Sequence, residues 1–266
     1  MAEEDVDWTP IFDRVKGSIF FVQFVPKQDR LQQLQIVADT VNTVTDDELR
    51  HERTVKGHVS TGFAFFSRQT GPLIMTTAHG LSHLFNPSRP LTRETLEMMD
   101  ITVLCDHQEE AIQEAGLVNA DRKYATARVA GVNSSVDIII LSVENRKLKN
   151  YLDGVCTQAH PPLQISPNTP LNGRECMLIS WPSYMPRMVS MGETVSTSRI
   201  DMHNPFGYNM ATLEVDMRTE ESSSGGPLFN SNGEVIGMLH GRLSRTRSIF
   251  VAGPHLRRWV QAAHNA

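Results

Sequence analysis

The 266-residue chain contains only three cysteines, Cys105, Cys156 and Cys176, and no Cys-x-x-Cys pair. So few cysteines, odd in number, exclude the disulfide framework that staples many small secreted proteins. We interpret all three thiols as reduced residues of strands or of the core.

Basic residues are also too few to indicate a nucleic-acid or anionic-membrane partner. Lys and Arg number 25 against 30 Asp and Glu, which gives a net charge of −5 and an isoelectric point near 6.1. No apolar run reaches the length of a transmembrane span, and the N-terminus is acidic where a secretory signal is basic. We therefore predict a cytoplasmic or nuclear protein that binds neither nucleic acid nor membrane.

The chain is rich in short apolar runs that glycine and proline separate. Because no helical segments alternate with these runs, they predict an all-β fold of antiparallel barrels. Apolar residues at helical spacing near the end of the chain predict an amphipathic helix. The predicted segments are an acidic tail at 1–10 and one domain at 11–266, which divides into an N-terminal barrel at about 11–145, a linker at about 146–169, a C-terminal barrel at about 170–252 and a helix at 254–264.

One segment, Glu221–Phe229, combines a serine with the backbone freedom that a nucleophile needs. Its sequence, ESSSGGPLF, is unsuited to a regular helix or strand because it holds two glycines and a proline. It predicts a tight turn that presents the hydroxyl of Ser224. A serine alone is a weak nucleophile, so this interpretation requires a base and an orienting acid elsewhere.

Two other segments supply both groups. The apolar run LIMTTAHG places His79 just after a predicted strand, and VDIIIL places Asp137 at the mouth of another. A carboxylate beside such an apolar run is expected to have a partner, because burying it unpaired costs several kcal/mol.

Thr-Ala-His, Asp-Ile-x-x-Leu and Ser-Gly-Gly-Pro, in this order, resemble the signatures of the trypsin/chymotrypsin superfamily. Within it the chain resembles HtrA/Deg-type protease domains. The segments that carry this are GFAF at 62–65, ARVAG at 127–131 and GEVIG at 233–237. The resemblance implies a chymotrypsin-like fold of two six-stranded antiparallel β-barrels with a C-terminal helix, here without the PDZ domain that such proteases often carry. It also implies a homo-oligomer, a trimer.

The resemblance also assigns catalytic roles. Ser224 is the expected nucleophile, His79 the general base and Asp137 the group that orients the imidazole. The amides of Ser222, Ser223 and Ser224 are the expected oxyanion hole. The family has glycine two residues before the nucleophile, whereas this chain has Ser222, and a non-glycine residue in such a conformation costs about 1–3 kcal/mol.

The expected substrates are polypeptides. The resemblance places His240, Gly241 and Arg242 along the primary specificity pocket and Arg218 at its floor, although both arginines are also typical of surface charges. His79 and His83 have the i, i+4 spacing of zinc ligands, but no glutamate of an H-E-x-x-H motif accompanies them. We predict neither a metal site nor a cofactor.

These observations predict a serine endopeptidase that acts through an acyl-enzyme in intracellular protein processing or quality control. Because Ser222 departs from the family pattern, the alternative is a catalytically weak or inactive module that binds peptides as a chaperone does. A third hypothesis is an esterase-like acyl hydrolase, which ester and peptide kinetics distinguish.

Overall fold

The computed structural model describes residues 6–117, 119–183, 187–201 and 206–264, and it covers the side chains of these residues except 198–201 and 262–264. No helix in these ranges is long and apolar enough to cross a membrane. The first part of the chain contains α1 (Thr9–Val15), β1 (Ile19–Pro26), α2 (Leu31–Val41), α3 (Asp47–Lys56), β2 (His58–Arg68), β3 (Gly71–Thr76), α4 (Arg93–Glu97), β4 (Met99–Cys105), α5 (Asp106–Glu114), β5 (Ala125–Thr126), β6 (Arg128–Asn133) and β7 (Ile138–Ser142). The second part contains β8 (Glu175–Ser180), β9 (Met188–Asp201), β10 (Asn209–Asp216), β11 (Pro227–Phe229), β12 (Val235–Arg242), β13 (Arg247–Ala252) and α6 (Gly253–His264).

The first sheet is antiparallel and has seven strands in the order β5-β4-β1-β2-β3-β7-β6. It is not hydrogen-bonded into a closed ring, unlike the six-stranded barrel that we predicted. Its two edge strands, β5 and β6, are nevertheless separated in the chain by one residue, Ala127. A flat sheet cannot place consecutive segments at opposite edges, so the sheet must curl until its edges approach each other.

The second sheet is a closed barrel in the order β10-β13-β12-β11-β8-β9, as predicted. Residues 148–174 connect the two sheets and contain isolated bridges but no helix or strand. The result is the chymotrypsin-like architecture of two β-units with a C-terminal helix.

One hydrophobic core is shared by both units, and a second, smaller buried cluster lies within the barrel. Phe20, Phe63 and Ile74 of the first sheet belong to the same buried cluster as Met238 and Val251 of the barrel. Alternating strand residues create it, since β1 buries every second side chain along most of its length. This shared core therefore packs the two units directly against each other.

Helix α6 packs against this shared core. Leu256 is fully buried, and the ring of Trp259 would lie 3.5 Å from a Cβ placed on Gly131 in β6. The helix therefore joins the barrel, from which it emerges, to the edge of the first sheet.

The helices differ most from our prediction. We assigned residues 1–10 to an acidic tail, but α1 begins at Thr9, and the side chains of Val6 and Trp8 pack against the core; residues 1–5 lie outside the described ranges. The polar segment after β1, whose composition is typical of a long loop or a short helix, forms the two helices α2 and α3.

Candidate active site

The segment that carries Ser224, the predicted nucleophile, is held by unusual backbone conformations. Ser222 has a φ of 67° and Gly225 a φ of 84°, so the chain turns sharply on both sides of Ser224. A Cβ at Gly225 would lie 2.1 Å from the carbonyl oxygen of Thr61, which explains why only glycine fits there. The N–H of Thr61 donates to the carbonyl of Ser224 at 2.8 Å, and this bond ties the turn to β2 of the other sheet.

The predicted base and the predicted orienting acid come from the first sheet. His79 begins a 3-10 helix, His79–Leu84, directly after β3, and its side chain is 21% exposed. Asp137 has a φ of 58°, precedes β7 and is completely buried. The ends of two paired strands, β3 and β7, therefore place the imidazole and the carboxylate side by side.

A continuous hydrogen-bonded chain joins the three predicted catalytic side chains. His79 Nε2 lies 2.8 Å from Ser224 Oγ, and His79 Nδ1 lies 2.8 Å from Asp137 Oδ2. The other carboxylate oxygen, Oδ1, accepts the backbone N–H groups of Ala78 at 2.8 Å and of His79 at 2.6 Å. The carboxylate thus holds both the ring and the backbone of His79, which leaves Nε2 directed at the hydroxyl.

A second imidazole completes the surroundings of Asp137. His240, in β12, donates Nδ1–H to Asp137 Oδ2 at 2.6 Å, and its ring lies 5.0 Å from that of His79 in an edge-to-face arrangement. Burial alone raises the pKa of a carboxyl group, but these two imidazoles outweigh burial, and the pKa of Asp137 lies well below its usual range. The two imidazoles therefore favour the ionised form of Asp137.

The turn also leaves two backbone donors uncommitted. Among the described residues, the N–H groups of Ser222 and Ser224 donate no hydrogen bond within the protein. The N–H of Ser223 donates to the carbonyl of Glu220 at 3.3 Å, and its buried hydroxyl accepts from Ser180 Oγ. We predicted the amide of Ser223 as one of three donors in the oxyanion hole, but this amide is engaged in closing the turn.

The profile of the trypsin-like peptidase domain family matches residues 60–238, which include all three of these side chains. The chain belongs to this family. No curated protein sequence matches the chain.

Solved structures agree with this peptidase fold. The active form of the Rv3671c protease from M. tuberculosis superimposes with a TM-score of 0.60 at 16% identity, over 95% of this chain and 83% of that one. The inactive form of that protease gives 0.58 at 15% identity, over 99% of both chains. Deg5 gives 0.58 at 13% identity, over 95% and 90%. At these identities the likeness shows the fold alone.

The residues predicted to line the specificity pocket of the peptidase domain differ in their surroundings. Arg218 is 77% exposed and pairs with Glu220 at 3.0 Å, and Arg242 donates to the carbonyl of Thr219 at 3.4 Å. A Cβ at Gly241 would meet no atom within 4 Å, so space is open beside it. The ring of His240, which we predicted along this pocket, is hydrogen-bonded to Asp137.

The structure also bears on His83, the partner that a zinc site at His79 would require. His83 is buried, and neither of its ring nitrogens has a hydrogen-bond partner among the described residues. Both nitrogens of His79 are engaged by Asp137 and Ser224. The 3-10 helix repeats every three residues, so positions i and i+4 do not lie on one face of it as they would on an α-helix.

Sequence reasoning missed the contact between His240 and Asp137. The available signal was a polar ring in β12, where the five preceding residues are all buried. A histidine at the end of such a run requires a polar partner, because an unsatisfied buried donor costs about 1–3 kcal/mol.

Proposed function

We propose that this peptidase domain is a serine endopeptidase that cleaves peptide bonds through an acyl-enzyme intermediate. The observation that carries the proposal is the chain of hydrogen bonds from Asp137 through His79 to Ser224, with 2.8 Å at each side of the imidazole. A hydroxyl at this distance from a neutral ring nitrogen can lose its proton as it attacks a carbonyl carbon. Membership of the family supports the same chemistry.

In the acylation step, Ser224 Oγ forms a bond to the scissile carbonyl carbon while its proton moves to His79 Nε2. The resulting tetrahedral intermediate collapses when the C–N bond breaks and His79 gives the proton to the leaving amine. Water then attacks the acyl-enzyme, again losing a proton to His79, and Ser224 leaves with that proton. Asp137 stays ionised throughout and stabilises the imidazolium in each half of the cycle.

The oxyanion of each intermediate would be bound by the N–H groups of Ser222 and Ser224. Both are uncommitted, and the positive φ of Ser222 is the conformation that glycine provides in related proteases. Removing one such donor costs roughly 10²–10³ in rate, so this conformation is central to the proposal.

His240 acts in this proposal as a positioning residue. Its Nδ1–H and that of His79 both donate to Asp137 Oδ2, while two backbone amides occupy Oδ1. Four donors leave the buried carboxylate one orientation, and that orientation sets the angle of the His79 ring.

The substrates we propose are intracellular polypeptides, since all three cysteines are free thiols. A fluorophosphonate probe, which reacts with activated serines, tests the nucleophile. The wild-type chain should be labelled and Ser224→Ala should not, while Ser231→Ala, an exposed serine in the next loop, serves as the matched control. Labelling that persists in Ser224→Ala would refute the assignment.

Turnover tests the reaction class. Unfolded casein should be cleaved by the wild type and not by His79→Ala. Rapid hydrolysis of simple esters together with intact casein would favour the acyl-hydrolase hypothesis instead.

A further inference from the structure

A second group of reactive side chains lies outside the proposed catalytic residues. Cys105, His107, Cys156 and His160 each offer one ligand atom, and these four atoms all lie within 4.8 Å of one another. We call them the linker cluster, because two of the four belong to the segment that connects the two sheets. We propose that the linker cluster binds a structural zinc ion.

The fold brings the four residues together from two distant stretches of chain. Cys105 is the last residue of β4, and His107 lies in the first turn of α5. Cys156 and His160 lie in the linker, where the N–H of Cys156 is fixed to the carbonyl of Leu148 at 2.8 Å. Each pair is close in sequence, as Cys-x-His and Cys-x-x-x-His, and short spacings of this kind are typical of zinc ligands.

His160 is oriented as a metal-binding histidine. Its Nδ1–H donates to the carbonyl of Gly17 at 2.7 Å, whereas its Nε2 is buried and has no hydrogen-bond partner among the described residues. In zinc sites the histidine ring is held in this way, because one nitrogen donates to a backbone carbonyl and the other is left with a lone pair for the metal. A buried nitrogen with no partner is costly unless a ligand uses it.

His107 owes its position to Gly17. A Cβ at Gly17 would lie 2.5 Å from His107 Nε2, so only glycine admits the ring at this place. On the opposite side of the ring, Nδ1 lies 3.8 Å from Cys156 Sγ, and the ring centroid is 4.7 Å from that of His160. Gly17 thus supports both histidines of the linker cluster, one through its carbonyl and the other through its missing side chain.

The distances suit a tetrahedral ion. With Zn–S near 2.3 Å and Zn–N near 2.0–2.1 Å, ligand atoms around a tetrahedral zinc are about 3.5–3.8 Å apart when at least one is sulfur. The distance of 3.8 Å between Cys156 Sγ and His107 Nδ1 is already of this size. The widest separation, at most 4.8 Å, closes to it if the linker moves inward by about 1 Å.

The donor set also selects the metal and its role. Two thiolates and two imidazoles favour zinc over the hard cations magnesium and calcium, which prefer oxygen. Four protein ligands leave no open position, and closed sites of this kind are structural. A zinc ion here would fasten the linker to the first sheet, at the same end where Ser18 Oγ donates to the carbonyl of Pro161 at 2.6 Å.

Metal analysis of the full chain tests this inference independently of the proposed protease activity. After expression with zinc and gel filtration without chelator, the wild type should retain about one zinc per chain by mass spectrometry. Cys156→Ser and His160→Gln should lose it. Cys176→Ser, the matched control with the one cysteine outside the linker cluster, should keep it. His79→Ala should also keep it, which separates this site from the group formed by His79, Asp137 and His240.

Cobalt(II) gives a readout that depends on the ligands themselves. Titration of the zinc-free wild type should produce the thiolate-to-cobalt charge-transfer band and the intense visible bands of a tetrahedral site, and Cys156→Ser should lack both. Chelation should lower the melting temperature of the wild type, a measurement that stands even if the cysteine variant fails to fold. A wild type without zinc and without the thiolate band, zinc that is lost in His79→Ala but kept in Cys156→Ser, or a Cys105–Cys156 disulfide in the purified protein would overturn the inference.

Discussion

Replacing Ser222 by glycine tests whether the proposed oxyanion hole is already formed. Ser222 has a φ of 67°, a region that residues other than glycine rarely adopt. If the wild-type backbone already has the conformation that glycine would give, Ser222→Gly should change kcat/KM by no more than about threefold, far less than the roughly 10²–10³ that one missing donor costs. The assay is steady-state cleavage of an unfolded protein or a fluorogenic peptide.

The stability of the same variant follows from three contributions. Relief of the left-handed conformation gains roughly 1–2 kcal/mol, and the greater freedom of glycine in the unfolded chain returns about 0.5–1 kcal/mol of that gain. The exposed hydrogen bond between the Ser183 and Ser222 hydroxyls is also lost, which costs about 0.5 kcal/mol. The free energy of unfolding of Ser222→Gly should therefore lie within about 1 kcal/mol of the wild type.

Ser222→Ala is the matched control, because it loses the same hydroxyl but keeps the strained backbone. Ser222→Gly should exceed Ser222→Ala by about 0.5–1 kcal/mol in urea unfolding, or a few degrees in melting temperature. A rise of about 100-fold in kcat/KM for Ser222→Gly would refute the reasoning. It would mean that the serine keeps the hole closed, and it would favour the weak, peptide-binding alternative for the natural chain.

Three further predictions concern neighbouring residues. His240→Ala should lower kcat/KM roughly tenfold, because Asp137 loses a donor, while His240→Ser should restore most of the activity through its hydroxyl; equal loss in both would contradict a positioning role. Gly225→Ala should lower the free energy of unfolding in urea by about 2 kcal/mol or more, because the added Cβ would lie 2.1 Å from the carbonyl oxygen of Thr61. Gly241→Ala, where the Cβ would meet no atom within 4 Å, should leave that free energy nearly unchanged. Burial lowers the pKa of His58 to about 3 and of His83 to about 4, so the unfolded chain takes up more protons than the folded one below pH 6.5, and stability falls as the pH decreases from there. Each histidine should lower the free energy of unfolding by roughly 2 kcal/mol between pH 7 and pH 5. His83→Gln should make the decline of this free energy with falling pH shallower, and an unchanged decline would show that His83 is not buried in its neutral form.

The local motifs made the candidate catalytic side chains recognisable in the sequence. Ser224, His79 and Asp137 each lie in a short segment whose composition is constrained by one task, such as a glycine at 225 that no side chain could replace. The short apolar runs likewise predicted strands such as β3 and β7, because strands that are buried almost without interruption read as continuous apolar segments.

Contacts between distant segments were not predictable in this way. His240 meets Asp137 across 103 positions, and the sequence of β12 does not reveal which group its ring will face. The linker cluster depends on Gly17, which is far in sequence from Cys105 and from Cys156. Helix α5 was missed because its first turn, Asp106 to Glu109, buries polar side chains and therefore lacks the apolar stripe of a surface helix.

The position of Ala127 has a consequence for the integrity of the first sheet. Strands β5 and β6 form opposite margins of that sheet, and the peptide bonds around one alanine are what bring those margins together. The two edges of this curled sheet are thus held together by the polypeptide backbone, whereas the edges of a closed barrel are joined by hydrogen bonds between strands. New termini introduced at this seam would leave two strand margins free to pair with other molecules, so a circular permutant opened there should self-associate.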